Sequence, residues 1–204
     1  MVSQELHTPR SDLPETLLVA LEALLRERSS TDISLREVAR RAGVSHGAPG
    51  FHFQNKTGLL IAFSVMGYRR IRELCDEEVM RRAVKRGPEE LVALGCAYVR
   101  FAIEHPEQFS VMFQISLLDP DDPQHRAARL ATQQRLGQAV ARCVREGVLR
   151  AEDAETFGLL AWSQAHGLAS LLSAGRLPFG GHEEALARIE QLLWAFTERQ
   201  LRAG

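Results

Sequence analysis

Apolar residues recur along this chain at the three- and four-residue spacing of an α-helix. Nowhere do they alternate as in a half-buried strand. Between residues 13 and 28, Leu17, Leu21 and Leu24 form one stripe, with Leu18 and Leu25 beside it. Asp12 stands at a capping position and Pro14 in the first turn, so a helix is predicted there. Ser34 and Glu37 read as a capping box for a second helix, which Gly43 stops. Ser45 is placed to cap a short third helix. A long fourth helix is predicted over 56–85, with Arg69/Glu73, Arg72/Asp76, Glu77/Arg81 and Glu78/Arg82 spaced for i,i+4 pairing. Gly87 and Pro88 break it. Further helices are predicted over 88–104, 106–118, 124–146, 152–174 and 182–202. The breaks are Pro106, the proline–aspartate turn at 119–123, Gly147 and the glycine-bearing loop at 175–181. The prediction is an all-α chain of about nine helices. Short helices followed by longer ones divide it into a tail over 1–10, a first unit over 11–60 and a larger unit over 61–204, with the fourth helix joining the two.

Composition narrows the class. The 204 residues carry 25 Lys+Arg against 26 Asp+Glu, a net charge of −1, so the whole chain is no polycation. The distribution matters more than the sum. Residues 61–100 have a small positive excess and 101–204 a negative one, so an anionic partner is expected at the amino-terminal half. An apolar share of 45% excludes a disordered chain. Cys75, Cys96 and Cys143 lie far apart, which speaks against a disulfide framework or structural zinc and suits a reducing cytoplasm. Residues 1–10 have no apolar core, so no signal peptide is read there.

The predicted second and third helices, joined at Ala42, Gly43 and Val44, form a helix-turn-helix pattern. Gly43 supplies the left-handed turn residue. Val38, Ala39 and Val44 are placed to pack the two helices together. In such a motif the second helix enters the DNA major groove. A helical corner in an ordinary bundle has the same pattern.

The residues go further than the pattern. The stretch 31–60 resembles, without a gap, the signature of the tetracycline-repressor-like (TetR) family of transcriptional regulators. Ala39, Ala42, Gly43, Val44, Ser45, Gly47, His52, Phe53, Lys56 and Leu59 all stand where that signature has them. The resemblance implies a DNA-binding unit followed by a helical domain for ligand binding and dimerisation. It puts His46, Gly47 and Ala48 near base edges, brings Arg36 close to DNA, and makes His52 and Lys56 phosphate contacts. Lys56, a cation at a helix start, opposes the helix dipole, which a phosphate would explain. Ser45 is either a cap or a DNA contact. Phe53 and Leu59 read as core.

One position departs from the signature. Gly50 stands where the family usually has a Tyr that touches DNA. Gly50 costs about 1 kcal/mol of helix stability relative to Ala, and Pro49 removes a backbone donor. Phe51 offers a ring from the next position, about 100° around the helix. Either the helix firms up on DNA and reads thymine methyls and shape through Ala48 and Pro49, or DNA binding has weakened.

The run 157–175 contains no Asp, Glu, Lys or Arg. Its Ser, Gln and His residues make it too polar for a membrane span, so it reads as a helix buried on two sides, one against its own domain and one against a partner. Ala161, Ala165, Ala169 and Ser173 form a small-residue row, and Leu186, Ile189, Leu193 and Phe196 an apolar stripe. Together they are the expected homodimer interface, packed as a four-helix bundle. The segment from Trp162 to Gly167 resembles a W-x-x-x-H-G motif of a TetR subgroup. Trp162 and His166 share a face, either as a pocket wall or with His166 bonded to a polar neighbour. Phe63, Met66, Phe101, Phe109, Met112 and Phe113 mark the region of an apolar pocket.

No metal-ligand set, phosphate-binding loop or nucleophile motif is present, so neither an enzyme nor a cofactor is expected. The expected partners are an operator in double-stranded DNA, a small apolar effector and a second copy of the chain, with no membrane. A repressor is the primary reading. A ligand-binding or adaptor protein of the same architecture is the alternative.

Overall fold

The computed structural model describes the backbone over residues 13–203. The tail over 1–10 and the Asp12 cap lie outside the described residues. Nine α-helices and no strand are found among the described residues. They are α1 (Leu13–Glu27), α2 (Leu35–Ala42), α3 (Ala48–Phe53), α4 (Lys56–Arg81), α5 (Gly87–Glu104), α6 (Pro106–Phe113), α7 (Pro123–Arg145), α8 (Ala154–Ser173) and α9 (His182–Ala203).

Two apolar clusters organise these helices. One gathers Leu17, Leu21 and Leu24 of α1, Val38 of α2, Leu59 to Met66 of α4 and Val111 of α6. The other begins at Tyr68 on α4 and takes in α5 and the inner faces of α7, α8 and α9. The long α4 therefore contributes its first half to one core and its second half to the other. The helix enclosed on all sides is α5, which packs against α4, α7, α8 and α9. Its buried positions run around the whole circumference, as a central helix requires.

Two helix ends differ from the prediction. α4 stops at Arg81, where Ala83 takes φ 47° and Val84 N–H bonds back to Val79 O. That is a left-handed helix stop built on alanine, without the glycine that marks such stops in a sequence. α6 ends at Phe113 rather than 118, and a 3-10 turn over Ile115–Leu117 follows.

The outer pairing of α4 also rearranges. Arg69 and Glu73 pair at 3.7 Å, but Asp76 pairs with Arg135 of α7 at 3.1 Å rather than with Arg72. Glu78 is buried and takes both Arg81 and Arg82, and Arg82 reaches on to Glu190 of α9.

The row Ala161, Ala165, Ala169, Ser173 is corrected by burial. Ala165 and Ala169 are buried in the chain's own core, because their small side chains let α8 lie close along α5. Ile189 and Leu193 of α9 are buried in the same core. None of these four is available to a second copy. Ala161, Leu186 and Phe196 are half-buried and only Ser173 is exposed. The apolar residues that α8 presents to solvent are Leu159, Leu160, Trp162 and Leu171.

Candidate functional site

The first candidate surface lies around α2 and α3. The capping box of α2 forms as predicted: Glu37 N–H donates to Ser34 Oγ, and Ser34 N–H donates to the Glu37 carboxylate. Gly43 takes φ 69°, and Val44 N–H bonds to Ala39 O at 3.0 Å, which fixes the turn. α3 then begins at Ala48, with Gly47 as its cap residue and no side-chain cap. Ser45 does not cap α3, since the chain makes one further turn through Ser45 and His46 before the helix starts. Pro49 is the buried residue of α3.

This placement decides what faces outward. Arg36 and Arg40 of α2, with Ser45, His46 and Gly47, are exposed. Arg41 is held by Glu27 at 2.7 Å, but Arg36 and Arg40 have no carboxylate partner among the described residues. Arg40 joins the surface although the motif alone did not single it out. Phe51 is 86% exposed, with its ring edge-on to His52 at 5.2 Å. Ala48 and His52 are half-buried. A Cβ at Gly50 would meet nothing within 4 Å, so the missing side chain is not excluded by packing. Lys56 has a partner within the chain: its Nζ donates to Thr31 O at 2.9 Å. That bond explains a cation at the start of α4 without a phosphate and leaves two of its three N–H donors unused.

The α3–α4 junction is tight. Gln54 adopts φ 65°, ψ −55°, and Asn55 N–H bonds to Phe53 O at 2.7 Å, a γ-turn strained for any L-residue. Asn55 caps α4 through Gly58 N–H. A Cβ at Gly58 would lie 2.1 Å from Phe53 O, so the turn closes only over glycine.

The second candidate site is a cavity of about 1030 Å³ among α4, α5, α7, α8 and α9. Its lining is mainly apolar, with Ile71, Leu94, Leu136, Val140, Ala165 and Phe196 among the walls. The predicted region overlaps it only in part. Met112, Phe113 and Trp162 line it. Phe63 and Met66 belong instead to the amino-terminal core, beside Leu59 and Val111. Phe101 and Phe109 are buried off the cavity. His166 lies behind the wall, with Trp162 stacked on it at 5.5 Å, Phe113 at 4.5 Å and the Tyr98 hydroxyl 2.9 Å from its Nδ1. It is the bonded histidine of the two readings, and burial holds its pKa below the ordinary value.

The cavity's polar corner was missed by the sequence reading. His125, Arg129 and Thr132 of α7 line it together with Tyr68 and Arg72 of α4. The available signal was the α7 stripe His125, Arg129, Thr132, Leu136, Val140, polar at one end and apolar at the other.

A braced contact joins α1 to α4 and α6. Glu22 of α1 is buried and receives Arg70 Nη1 of α4 at 3.3 Å and His105 Nδ1 at 3.3 Å. Arg70 also donates to Gln108 Oε1 of α6, and Gln108 Nε2 donates to Phe63 O. One turn further along α6, Met112 and Phe113 reach the cavity. A Cβ at Gly67 would lie 2.4 Å from Met112 Sδ, so α4 and α6 cross in close contact there.

Among the described residues, no helix is long and apolar enough to cross a membrane, and no three His, Cys, Asp or Glu residues gather to hold a metal ion.

Comparison with known proteins agrees with this arrangement. Residues 17–63 match the model described as bacterial regulatory proteins, tetR family. Residues 91–194 match the tetracyclin repressor-like, C-terminal domain. No protein of curated function matches the chain in sequence. Among solved structures, a protein of unknown function from Rhodococcus sp. RHA1 is 28% identical, covering 95% of this chain and 98% of its own, with a TM-score of 0.78. The TetR family transcriptional regulator PfmR from Thermus thermophilus is 22% identical, covering 96% of this chain and 97% of its own, with a TM-score of 0.66. A bacterial regulatory protein in the tetR family from Rhodococcus RHA1 is 18% identical, covering 96% and 97%, with a TM-score of 0.67. With the helix-turn-helix unit and more than half of the remaining chain both matched, the chain belongs to the TetR family, whose members are DNA-binding transcriptional regulators rather than enzymes.

Proposed function

We propose that this regulator is a homodimeric repressor acting in the cytoplasm. Each copy would place one α3 in a half-site of a pseudo-palindromic operator. The observation that carries the reading is the exposed set Arg36, Arg40, His46, Gly47 and Phe51 around the Gly43 turn, with both arginines lacking an internal carboxylate partner. Unpaired guanidiniums supply phosphate contacts, while Gly47, Ala48 and the Phe51 ring present small and apolar surface to base edges and thymine methyls. Residues 11–60 are the DNA-binding unit in this reading, and 61–204 the effector and dimerisation unit.

The second copy would sit on the solvent face of α8. Leu160 and Leu171 flank Gly167 on one side of the helix, and nothing lies within 4 Å of a Cβ at Gly167. Exposed leucines around a glycine let a second helix pack closely.

A small, mainly apolar effector would occupy the cavity. Its occupancy reaches α1 through α6, whose Met112 and Phe113 touch the cavity and whose Gln108 joins the Glu22–Arg70 brace. The effector acts only if it binds the DNA-incompetent arrangement more tightly.

The test is selection of random duplex DNA by the purified protein near physiological salt. An enriched inverted repeat with helical-turn spacing is expected. No enrichment from folded dimeric protein, with and without cell extract as a source of effector, would favour the adaptor reading.

A further inference from the structure

The cavity is apolar along most of its length, yet one corner holds a buried polar side chain that the protein does not satisfy. His125 is only 7% exposed, and neither ring nitrogen has a hydrogen-bond partner among the described residues. A buried imidazole without a partner is costly unless a ligand completes it. It lies against the Tyr68 ring at 5.7 Å and beside Arg129, one turn along α7. Arg72 enters the same corner from α4. Its Nη1 donates to Tyr68 O, Ala128 O and Thr132 Oγ1, all neutral acceptors.

Among the side chains that line this corner the charged ones are arginines, while Asp119, Asp121 and Asp122 stand in the adjoining loop around Pro120. Neither Arg72 nor Arg129 has a carboxylate partner among the described residues. The nearest acid on the same helix is Asp122, whose Oδ1 caps α7 through His125 N–H. Arg135, further along the wall, is already neutralised by Glu90 and Asp76. At the opposite end, Arg145 and Glu155 line the cavity with opposite signs. A corner with two arginines that form no carboxylate pair therefore closes an apolar cavity whose wall on α7 runs from His125 to Arg145, about 30 Å at 1.5 Å per residue.

We propose that the effector is an amphiphilic anion, a carboxylate on a long apolar body, with its head group accepting hydrogen bonds from Arg129, Arg72 and His125. The proposal rests on the effector reading above and names the chemistry of that same site. An apolar tail is bound by the cavity walls in this assignment, and the head group fixes its direction. Burial and then Arg129 lower the His125 pKa, which favours the neutral ring, and a neutral ring offers one N–H to a carboxylate.

The test uses dodecanoate, methyl dodecanoate and dodecanol, each below its aggregation concentration, titrated calorimetrically into the full-length protein. Release from the selected operator is followed separately. Dodecanoate is expected to bind at least tenfold more tightly than the ester or the alcohol. Arg129→Gln, at an exposed position, should remove that preference while leaving ester affinity and melting temperature unchanged. Arg145→Gln is the control at the opposite end. Equal binding of acid, ester and alcohol overturns the head-group assignment and leaves an apolar effector standing. Loss in Arg145→Gln instead of Arg129→Gln does the same. Selective dodecanoate binding without operator release keeps the site and overturns its regulatory role. No binding by any of the three overturns both.

Discussion

Glu22→Gln tests the brace between the DNA-binding unit and the rest of the molecule. The Glu22 side chain is 8% exposed, and it faces Arg70 at 3.3 Å, His105 at 3.3 Å and Arg26 at 3.5 Å. Removing one member of a fully buried ion pair costs about 3–5 kcal/mol. Arg70 and His105 retain 25% and 27% exposure, and Arg70 keeps Gln108 Oε1 at 2.8 Å, so water and a neutral acceptor offset part of the loss. We expect a cost of about 2 kcal/mol at pH 7, or a melting-temperature drop of about 4–8 °C for a chain of this size. The pH dependence fixes the cause. Hydrogen bonding to His105 is the largest influence lowering the Glu22 pKa below its ordinary 4.5; Arg70 adds to it and burial opposes it. A depressed carboxyl stabilises the fold above the unfolded value and loses that contribution as pH falls through the folded one. Urea titrations at pH 7 and at about pH 3.5 should therefore show a smaller difference between wild type and variant at the second than at the first. A difference below about 0.5 kcal/mol at pH 7, or one that does not shrink in acid, would refute the argument. The variant should also bind operator with less response to effector, because the link from α1 through Arg70 and His105 is weakened and, among the described residues, only the Arg26–Glu107 pair at 3.8 Å still ties α1 to α6 by charge.

Gly50→Tyr should raise operator affinity, since a side chain there meets open space and the helix gains about 0.5 kcal/mol of propensity over glycine; unchanged binding in a fluorescence-anisotropy titration would show that α3 is not too soft. Gly58→Ala should destabilise the fold by about 1–3 kcal/mol in chemical denaturation, because its Cβ would sit 2.1 Å from Phe53 O. Combining Leu160→Arg with Leu171→Arg should yield a folded monomer by sedimentation, and a persistent dimer would move the interface off this face. Cys75, Cys96 and Cys143 are all buried, with burial pushing their thiols up to about 12, about 12 and about 11. They should resist a thiol reagent at pH 8 until the protein unfolds, and fast native labelling would reopen a redox role.

What the sequence made legible was local. The α2 capping box, the Gly43 turn and the break at Pro106 each depend on residues a few positions apart, and each forms where expected, whereas Gly87 opens α5 rather than ending α4. The left-handed stop at Ala83 was not legible, because alanine carries no such signal. Choices between faces were harder. A row of alanines permits close helix packing but does not say with which helix. Here α5, apolar around its whole circumference, takes the inner side of α8 and leaves the leucine face outside. The same logic displaced the cavity. Phe63 and Met66 are ideal pocket residues by type, but the first half of α4 is spent on the amino-terminal core. The pocket forms only past Tyr68, where the wall is supplied by α7, a helix of mixed composition that periodicity marks as a solvated surface. His125 acquires its significance from that placement alone: on an isolated helix it is a solvated side chain, and buried against Tyr68 its ring nitrogens lack a hydrogen-bond partner among the described residues, with Arg129 exposed one turn away.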